Sequence, residues 1–134
     1  MSPRPGPYDG AEDPVIFAPT GRATVKRYSP TFYSDLGNDF PDFAGHVLVQ
    51  RHAFDRPWGS WERHPHGDEY VYLLSGDTDF ILWRDGEEEV LRVSTPGSYV
   101  VVPQNVWHTA RPHAPTEMLF VTPGEGTENA TEPE

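Results

Sequence analysis

The chain has 134 residues, no cysteine and a formal net charge of -11, from 21 acidic and 10 basic side chains. This length suits a single domain, and the charge opposes binding to nucleic acid or to an anionic membrane surface. Without cysteine there is no disulfide or thiolate chemistry, so a metal would have to be held by imidazole and carboxylate groups.

The two ends of the chain differ in composition from its middle. Residues 1–14 are rich in Pro, Gly and acidic side chains and are expected to form a flexible arm, and residues 124–134 a flexible acidic tail. The folded domain is therefore predicted over 15–123. The first residues lack the apolar stretch of a secretory signal, and no run approaches the roughly 20 apolar residues that span a bilayer. A cytoplasmic protein without membrane contact is expected.

A single short helix is predicted early in the chain. Ser29 can cap it, Pro30 suits its first position, and Gly37 is expected to end it. The pattern then changes to short strands separated by Gly and Pro, with a tight hairpin turn at Asp85-Gly86. The predicted strands cover 46–50, 69–75, 80–83, 90–93, 99–102 and 116–122. Such even spacing predicts an all-β sandwich or barrel.

A histidine-rich segment precedes the second predicted strand. His64 and His66 are two residues apart, so both rings point the same way on an extended chain. Glu69 follows a small turn at Gly67-Asp68 and opens the next strand, from which its carboxylate can return to the same point. Two imidazoles and one carboxylate suit a divalent transition metal and leave coordination positions open.

A second segment runs from Gly97 to His108. Pro103 and Asn105 favour a rigid turn before the histidine, because proline fixes φ and asparagine tolerates the left-handed region. His108 is therefore expected to approach the ligands of the first segment from a different strand. A closed metal site needs such a ligand from a distant part of the chain.

Together the two segments resemble the paired motifs of the cupin superfamily. The first family motif ends in a glutamate that is followed, after six residues, by a glycine. Glu69 and Gly76 match these two positions. Gly97, Pro103 and His108 match the second motif, with Asn105 in place of a glycine. The closing phrase TPGEGTEN is similar to that of small single-domain bacterial cupins.

The resemblance covers about residues 45–122 and implies an antiparallel jelly-roll β-barrel with at most one or two short helices. It also implies one divalent transition metal per chain, Fe or Mn first and Zn or Ni next, held by His64, His66, Glu69 and His108. The implied function is a metal-dependent enzyme of dioxygenase, isomerase or cyclase type that acts on a small organic molecule. The alternative is a non-catalytic cupin that binds or senses a small ligand or a sugar.

One departure from the family pattern leaves a second ligand set open. Two residues separate His66 from Glu69, where the family has three or four. If no gap is allowed, His64 takes the place of the second histidine and Glu62 that of the first. The ligands would then be Glu62, His64, Glu69 and His108, although the set containing His66 is preferred.

Further candidates lie outside the two motifs. Gln50 and His52 share a strand face that can reach the cavity in this fold. Arg51, Arg63 and Arg111 can hold a substrate carboxylate or form surface salt bridges. The four tryptophans can line a pocket, but packing is the preferred interpretation.

The resemblance also bears on assembly. Small single-domain cupins commonly pair, and an open barrel has edge strands to protect. The segment from Val15 to Tyr28 is expected to add a strand to a neighbour, which gives a two-fold homodimer. The other expected partner is a small-molecule substrate or ligand, with no nucleic acid.

Overall fold

The computed structural model describes residues 4–134 and contains two antiparallel sheets and little helix. Its helices are α1, Phe32–Asp39, and a 3₁₀ turn, Pro41–Phe43. Its strands are β1 Val15–Phe17, β2 Ala23–Val25, β3 Val47–Phe54, β4 Trp61–Arg63, β5 Glu69–Ser75, β6 Thr78–Arg84, β7 Glu87–Val93, β8 Tyr99–Val102, β9 His108–Pro112, β10 Thr116–Thr122 and β11 Glu128–Ala130. In the described chain, neither helix has the length and apolar character needed to cross a bilayer.

The strands form two sheets that share one core. The six-stranded sheet has the order β2-β1-β3-β10-β5-β8, and the five-stranded sheet has the order β11-β4-β9-β6-β7. Both sheets contribute to the main hydrophobic cluster, for example through Leu73, Phe80, Met118 and Phe120. The predicted all-β jelly roll is confirmed, although the two sheets do not close into a continuous barrel.

Strand β5 shows how the sequence pattern sets the inner face. Val71 and Leu73 are fully buried on the same side as Glu69, as the two-residue period of a strand requires. Tyr70 lies on the opposite face, where its ring stacks on that of Tyr99 at 4.8 Å between centroids. The strand therefore delivers Glu69 to the interior of the molecule.

Helix α1 differs from its predicted bounds. It begins after Thr31 and runs through Gly37 to Asp39. It ends next to Pro41, because the residue before a proline is disfavoured in the helical region and Phe40 is extended. Phe32 and Leu36 form its buried face, which packs against β1 and β3 through Ile16 and Leu48.

Two predicted turns are confirmed by their backbone angles. Asp85 and Gly86 both have positive φ, at 55° and 77°, as a type I′ hairpin between β6 and β7 requires. Asn105 has φ of 63°, in the left-handed region that asparagine tolerates. The hairpin sets the register of the five-stranded sheet, and the Asn105 turn sets the approach to His108.

The chain ends take part in the sheets more than expected. Residues 124–134, expected to form a tail, contain β11, which pairs with β4. Polar composition hid this strand because it is a short, exposed edge strand held by backbone bonds. Within residues 4–14, Asp9 forms an ion pair with Arg51 at 2.9 Å, and residues 1–3 of the expected arm lie outside the described residues. In the segment expected to reach a neighbour, β1 pairs with β3 of the same chain.

Candidate metal centre

Four side chains converge between the two sheets: Glu62, His64, Glu69 and His108. Nε2 of His108 lies 3.1 Å from Glu69 Oε1 and 3.3 Å from Glu62 Oε1. Nε2 of His64 lies 3.3 Å from Glu69 Oε2 and 3.6 Å from Glu62 Oε1. Two ligands about 2.1 Å from one metal ion lie about 3.0–3.4 Å apart at octahedral or tetrahedral angles. Three of the four distances fall in this range, and all four ligand atoms lie within 4.8 Å of one another, so the cluster can hold one divalent metal.

The structure does not bring His66 to this cluster. Strand β4 ends at Arg63, so the rule that residues two apart share a face holds for Glu62 and His64 and stops there. Pro65 and His66 form a turn, and the His66 side chain is 56% exposed with Glu125 as its nearest carboxylate. The preferred set with His66 is thus not the one that converges, and the ungapped alternative with Glu62 is.

The loop that carries His66 is tied to the second motif. The backbone N–H of Asn105 donates to the His64 carbonyl oxygen at 2.9 Å. The backbone N–H of Gln104 donates to Asp68 Oδ1, and its side-chain amide donates to the Pro65 carbonyl oxygen. These bonds hold His64 beside the turn that precedes His108. In the sheet, Glu62 is the direct partner of His108 across β4 and β9.

Each histidine has one ring nitrogen fixed by the protein. Nδ1 of His64 lies 2.9 Å from Thr127 Oγ1, whose hydroxyl donates to the Gly124 carbonyl oxygen and therefore accepts from the ring. Nδ1 of His108 donates to the Val106 carbonyl oxygen at 3.1 Å. Both rings then present Nε2 to the cluster, as metal-binding imidazoles do when a protein acceptor holds the other nitrogen.

The buried carboxylate of Glu69 is also held on one side. Its Oε2 accepts a hydrogen bond from Thr122 Oγ1 at 2.6 Å. Its Oε1 and the Nε2 of His64 are buried without a hydrogen-bond partner. Buried polar atoms in folded proteins are almost always paired. Two such atoms in one cluster of four potential ligands therefore fit a site for a cation.

The electrostatics of the cluster couple the two histidines to the two carboxylates. Burial lowers the pKa of His64, but the adjacent carboxylates of Glu62 and Glu69 outweigh it and raise that pKa to about 9. The same opposition raises the pKa of His108 to about 10. Burial raises the pKa of Glu62 and Glu69, yet the two histidines hold both well below the usual range. Both carboxylates are therefore ionised and available as ligands.

A cavity of about 700 Å³ opens onto this cluster. Its lining includes Glu62 and Glu69 of the cluster, together with Thr122 and Thr127. The remaining walls come from α1 and the 3₁₀ turn, from the inner face of β3, from Trp58 and from Phe120. A volume of this size suits a small organic molecule.

Gln50 and His52 both line the cavity, on the inner face of β3. Gln50 Nε2 donates to the Tyr33 hydroxyl oxygen at 2.8 Å. That hydroxyl also hydrogen-bonds with His52 Nε2 at 3.1 Å. Sequence reasoning missed Tyr33 because its spacing on α1 suggested only an apolar face. It also missed Thr127, which lies in the segment predicted to form a flexible tail.

The fold and the buried His and Glu cluster define a small two-sheet jelly-roll protein with a candidate metal site. The family model described as "Cupin domain" matches residues 47–122, which is more than half of the chain. The chain therefore belongs to the cupin family, as its motifs predicted. The curated proteins include no significant match to this sequence.

Solved structures share the fold at low sequence identity. An oxalate oxidase has 16% identity and a TM-score of 0.51, with 60% of this chain and 44% of that chain covered. The oxalate decarboxylase of Bacillus subtilis, described with Mn(II) centres, has 17% identity and a TM-score of 0.51, with 63% and 23% covered. A cupin-2 domain protein from Shewanella frigidimarina has 17% identity, a TM-score of 0.49, and 57% and 70% covered. The chain thus spans less than half of the two oxalate enzymes.

Proposed function

We propose that this chain is a metal-dependent cupin enzyme that acts on a small organic molecule, of dioxygenase, isomerase or cyclase type. The observation that carries the proposal is the convergence of Glu62, His64, Glu69 and His108 beside a cavity of about 700 Å³ whose lining includes the two glutamates. Four protein ligands leave a six-coordinate metal two positions for substrate oxygens. A bound metal would supply Lewis acidity or, if it is redox-active, dioxygen chemistry.

The ligand chemistry favours Mn or Fe as the metal. Two carboxylates and two imidazoles form a harder ligand set than three imidazoles and one carboxylate. Hard oxygen donors suit Mn(II) and Fe(II), whereas Cu and Ni gain more from nitrogen. Fe or Mn therefore remains the first choice, with Zn next.

The chain supplies its own proton-handling groups near the site. The Tyr33 hydroxyl and the His52 ring share a hydrogen bond at the cavity wall. Burial raises the pKa of Tyr33 and lowers that of His52, so at neutral pH the tyrosine holds its proton and the imidazole can accept one. This pair is suited to move a proton to or from a substrate oxygen.

The test is metal content followed by turnover. We expect about one Mn or Fe per chain in purified, reconstituted protein, measured by elemental analysis. Oxygen uptake and product analysis with enols, diols and hydroxyketones should then show activity that His108→Ala removes and His66→Ala retains. Circular dichroism would check that both variants are folded. A chain that takes up no metal refutes the proposal, and one that binds metal and ligand without turnover is the non-catalytic alternative.

A further inference from the structure

The cavity carries information about the charge of its ligand. Resting on the proposed function, we infer that the site selects an uncharged, ring-sized molecule with oxygen donors and disfavours carboxylates and phosphates. Three independent features of the described residues support this inference: the charge of the ligand set, the absence of cations from the walls, and the aromatic surface beside His108.

The ligand set itself neutralises a divalent ion. Glu62 and Glu69 contribute two negative charges, and ligating imidazoles are neutral. The charge of the loaded centre is therefore zero. A set of three histidines and one glutamate would leave one positive charge to attract an anion. Here an incoming carboxylate gains little long-range attraction and must lose its hydration shell.

The cavity walls offer no compensating cation. Among the described residues that line the cavity there is no Lys or Arg, while Asp42 adds a further carboxylate. The three arginines that could have held a substrate carboxylate are engaged elsewhere. Arg51 pairs with Glu117 at 2.6 Å, Arg63 with Glu128 at 2.8 Å and Arg111 with Glu88 at 2.8 Å. An anionic substrate would therefore meet only negative and neutral groups.

The surface next to the metal ligands is aromatic. The Trp58 ring packs 6.3 Å from that of His108 and 5.9 Å from that of Phe120, measured between centroids. The Phe54 ring, which also lines the cavity, packs on that of Trp58 at 5.6 Å between centroids. The backbone N–H of Trp58 donates to the Ala110 carbonyl oxygen, which fixes this wall to β9. A flat apolar ring can stack here while its oxygen atoms reach the ligand cluster.

The polar part of the wall is neutral. Tyr33 and His52 are joined by one hydrogen bond, and Gln50 donates to the same hydroxyl. These groups can pair with a hydroxyl or carbonyl oxygen, but they bring no positive charge. They thus complement the oxygen atoms of an uncharged molecule.

The experiment compares two probes that differ by one carboxylate. Catechol is uncharged at pH 7, and 3,4-dihydroxybenzoate has the same two hydroxyls with an added negative charge. Binding to the Zn²⁺-loaded full chain is measured by calorimetry, so that no redox turnover intervenes. We expect catechol to bind at least about tenfold tighter, which corresponds to about 1.4 kcal/mol. Equal or tighter binding of 3,4-dihydroxybenzoate or oxalate, or no binding of catechol, overturns the inference.

A cation placed in the wall should reverse this preference. His52→Lys adds a positive charge inside the cavity, and we expect it to improve binding of 3,4-dihydroxybenzoate relative to catechol by about tenfold or more. His113→Lys is the matched control, since that side chain lies outside the cavity beside Asp79. If His52→Lys leaves the ratio of the two affinities unchanged, charge does not decide ligand choice and the inference fails.

A second pair of variants tests the aromatic wall. Trp58→Leu should weaken catechol binding by about tenfold, whereas Trp83→Leu, on the other side of the five-stranded sheet, should not. Unchanged binding in Trp58→Leu would refute stacking.

Metal uptake is measured separately: a chain that binds no Zn²⁺, Mn²⁺ or Fe²⁺ refutes the proposed function. The probe preference is then read on the metal-free protein, where the cation-free walls alone should still favour catechol.

Discussion

The two nitrogens of the His64 ring face different surroundings. Nδ1 is fixed by Thr127, and Nε2 is buried at 3.3 Å from Glu69 Oε2. Neither atom can relieve this arrangement by turning, because the ring is 4% exposed and held on its outer side. At the scale of single residues, the protein holds one ring nitrogen of each histidine in place, and the other ring nitrogen faces the carboxylates of the cluster.

The identity of the fourth ligand can be tested by two substitutions. Glu62→Gln removes a carboxylate that lies 3.3 Å from Nε2 of His108, so metal affinity should fall by at least about tenfold. His66→Ala removes an exposed ring outside the cluster and should leave affinity unchanged. Isothermal titration with Mn²⁺ or Zn²⁺ measures both. The reverse result, with metal lost in His66→Ala and kept in Glu62→Gln, would restore the set with His66.

The hydroxyl of Thr127 should matter although it touches no metal. Thr127→Val removes the acceptor for Nδ1 of His64, so the ring loses its fixed orientation. Loss of such an outer partner typically lowers metal affinity by about 10–100-fold. Thr127→Ser should restore binding, and Thr131→Val, an exposed change nearby, is the control. Equal metal affinity in Thr127→Val and the wild type would show that His64 is oriented by other contacts.

The raised pKa values of the two histidines predict how the metal-free protein responds to pH. Their folded pKa values, about 9 and about 10, exceed the unfolded value of about 6.5. The stability that they contribute is therefore complete below about pH 6.5 and is lost as pH rises through 9 and 10. Thermal unfolding should show a falling Tm across this window. Metal-loaded protein, whose ligands are neutral imidazoles, should not show this fall, and a flat profile without metal would contradict the assignment.

At the scale of elements, the sequence predicted the strands that carry runs of apolar residues and missed short strands such as β4 and β11. Strand β5 was predicted with its bounds, because Val71 and Leu73 alternate with outward tyrosines. Strand β4 is only three residues long and was read as part of a motif, which is why the shared face was assigned to His64 and His66 rather than to Glu62 and His64. Strand β11 lacks apolar residues altogether except Ala130.

The same contrast applies to the site. Glu69 and His108 could be predicted because motif spacing and turn chemistry reach them directly. Thr127 and Tyr33 could not, because each lies far from its partner in sequence and only the folded chain brings the two together. Such contacts depend on tertiary packing, which a local pattern does not encode.

The position between β5 and β6 requires glycine. Gly76 links β5 to β6 with φ of 105°, and an added Cβ would overlap the carbonyl oxygen of Pro115 and the Cα of Thr116. Gly76→Ala should therefore lower the free energy of unfolding by more than the roughly 1–2 kcal/mol that positive φ alone costs. Gly86→Ala is the matched control, with φ of 77° and no atom close to its Cβ. Urea unfolding measures both, and equal losses would contradict the predicted overlap.

At the scale of the whole molecule, the outer face of the six-stranded sheet is the surface that an assembly would use. Tyr99 and Val101 are 57% and 49% exposed on the edge strand β8, and the Tyr70 ring stacks on that of Tyr99. At the opposite edge of this sheet, β3 is already paired with β1 of the same chain. We therefore propose that the two-fold homodimer forms through β8 rather than through residues 15–28.

Light scattering coupled to size exclusion tests this assembly. The wild-type chain should elute with twice its mass of 15.1 kDa at micromolar concentration. Tyr99→Lys places a charge on the exposed apolar face and should shift the mass toward the monomer. Val90→Lys changes an equally exposed residue on β7 and is the control. A monomeric wild-type protein would contradict the prediction.

The cavity is lined by residues from inside the family match and by residues that precede it. The family match begins at residue 47, whereas α1 and the 3₁₀ turn, which supply Tyr33 and Phe43 to the walls, lie entirely before it. This segment forms part of the cavity wall and contains none of the metal-site residues, so it can be exchanged without altering them. A chimera that replaces residues 30–46 should keep its metal affinity and change its preference among small ligands. Ligand selectivity and metal binding would then be encoded in separate segments of the chain.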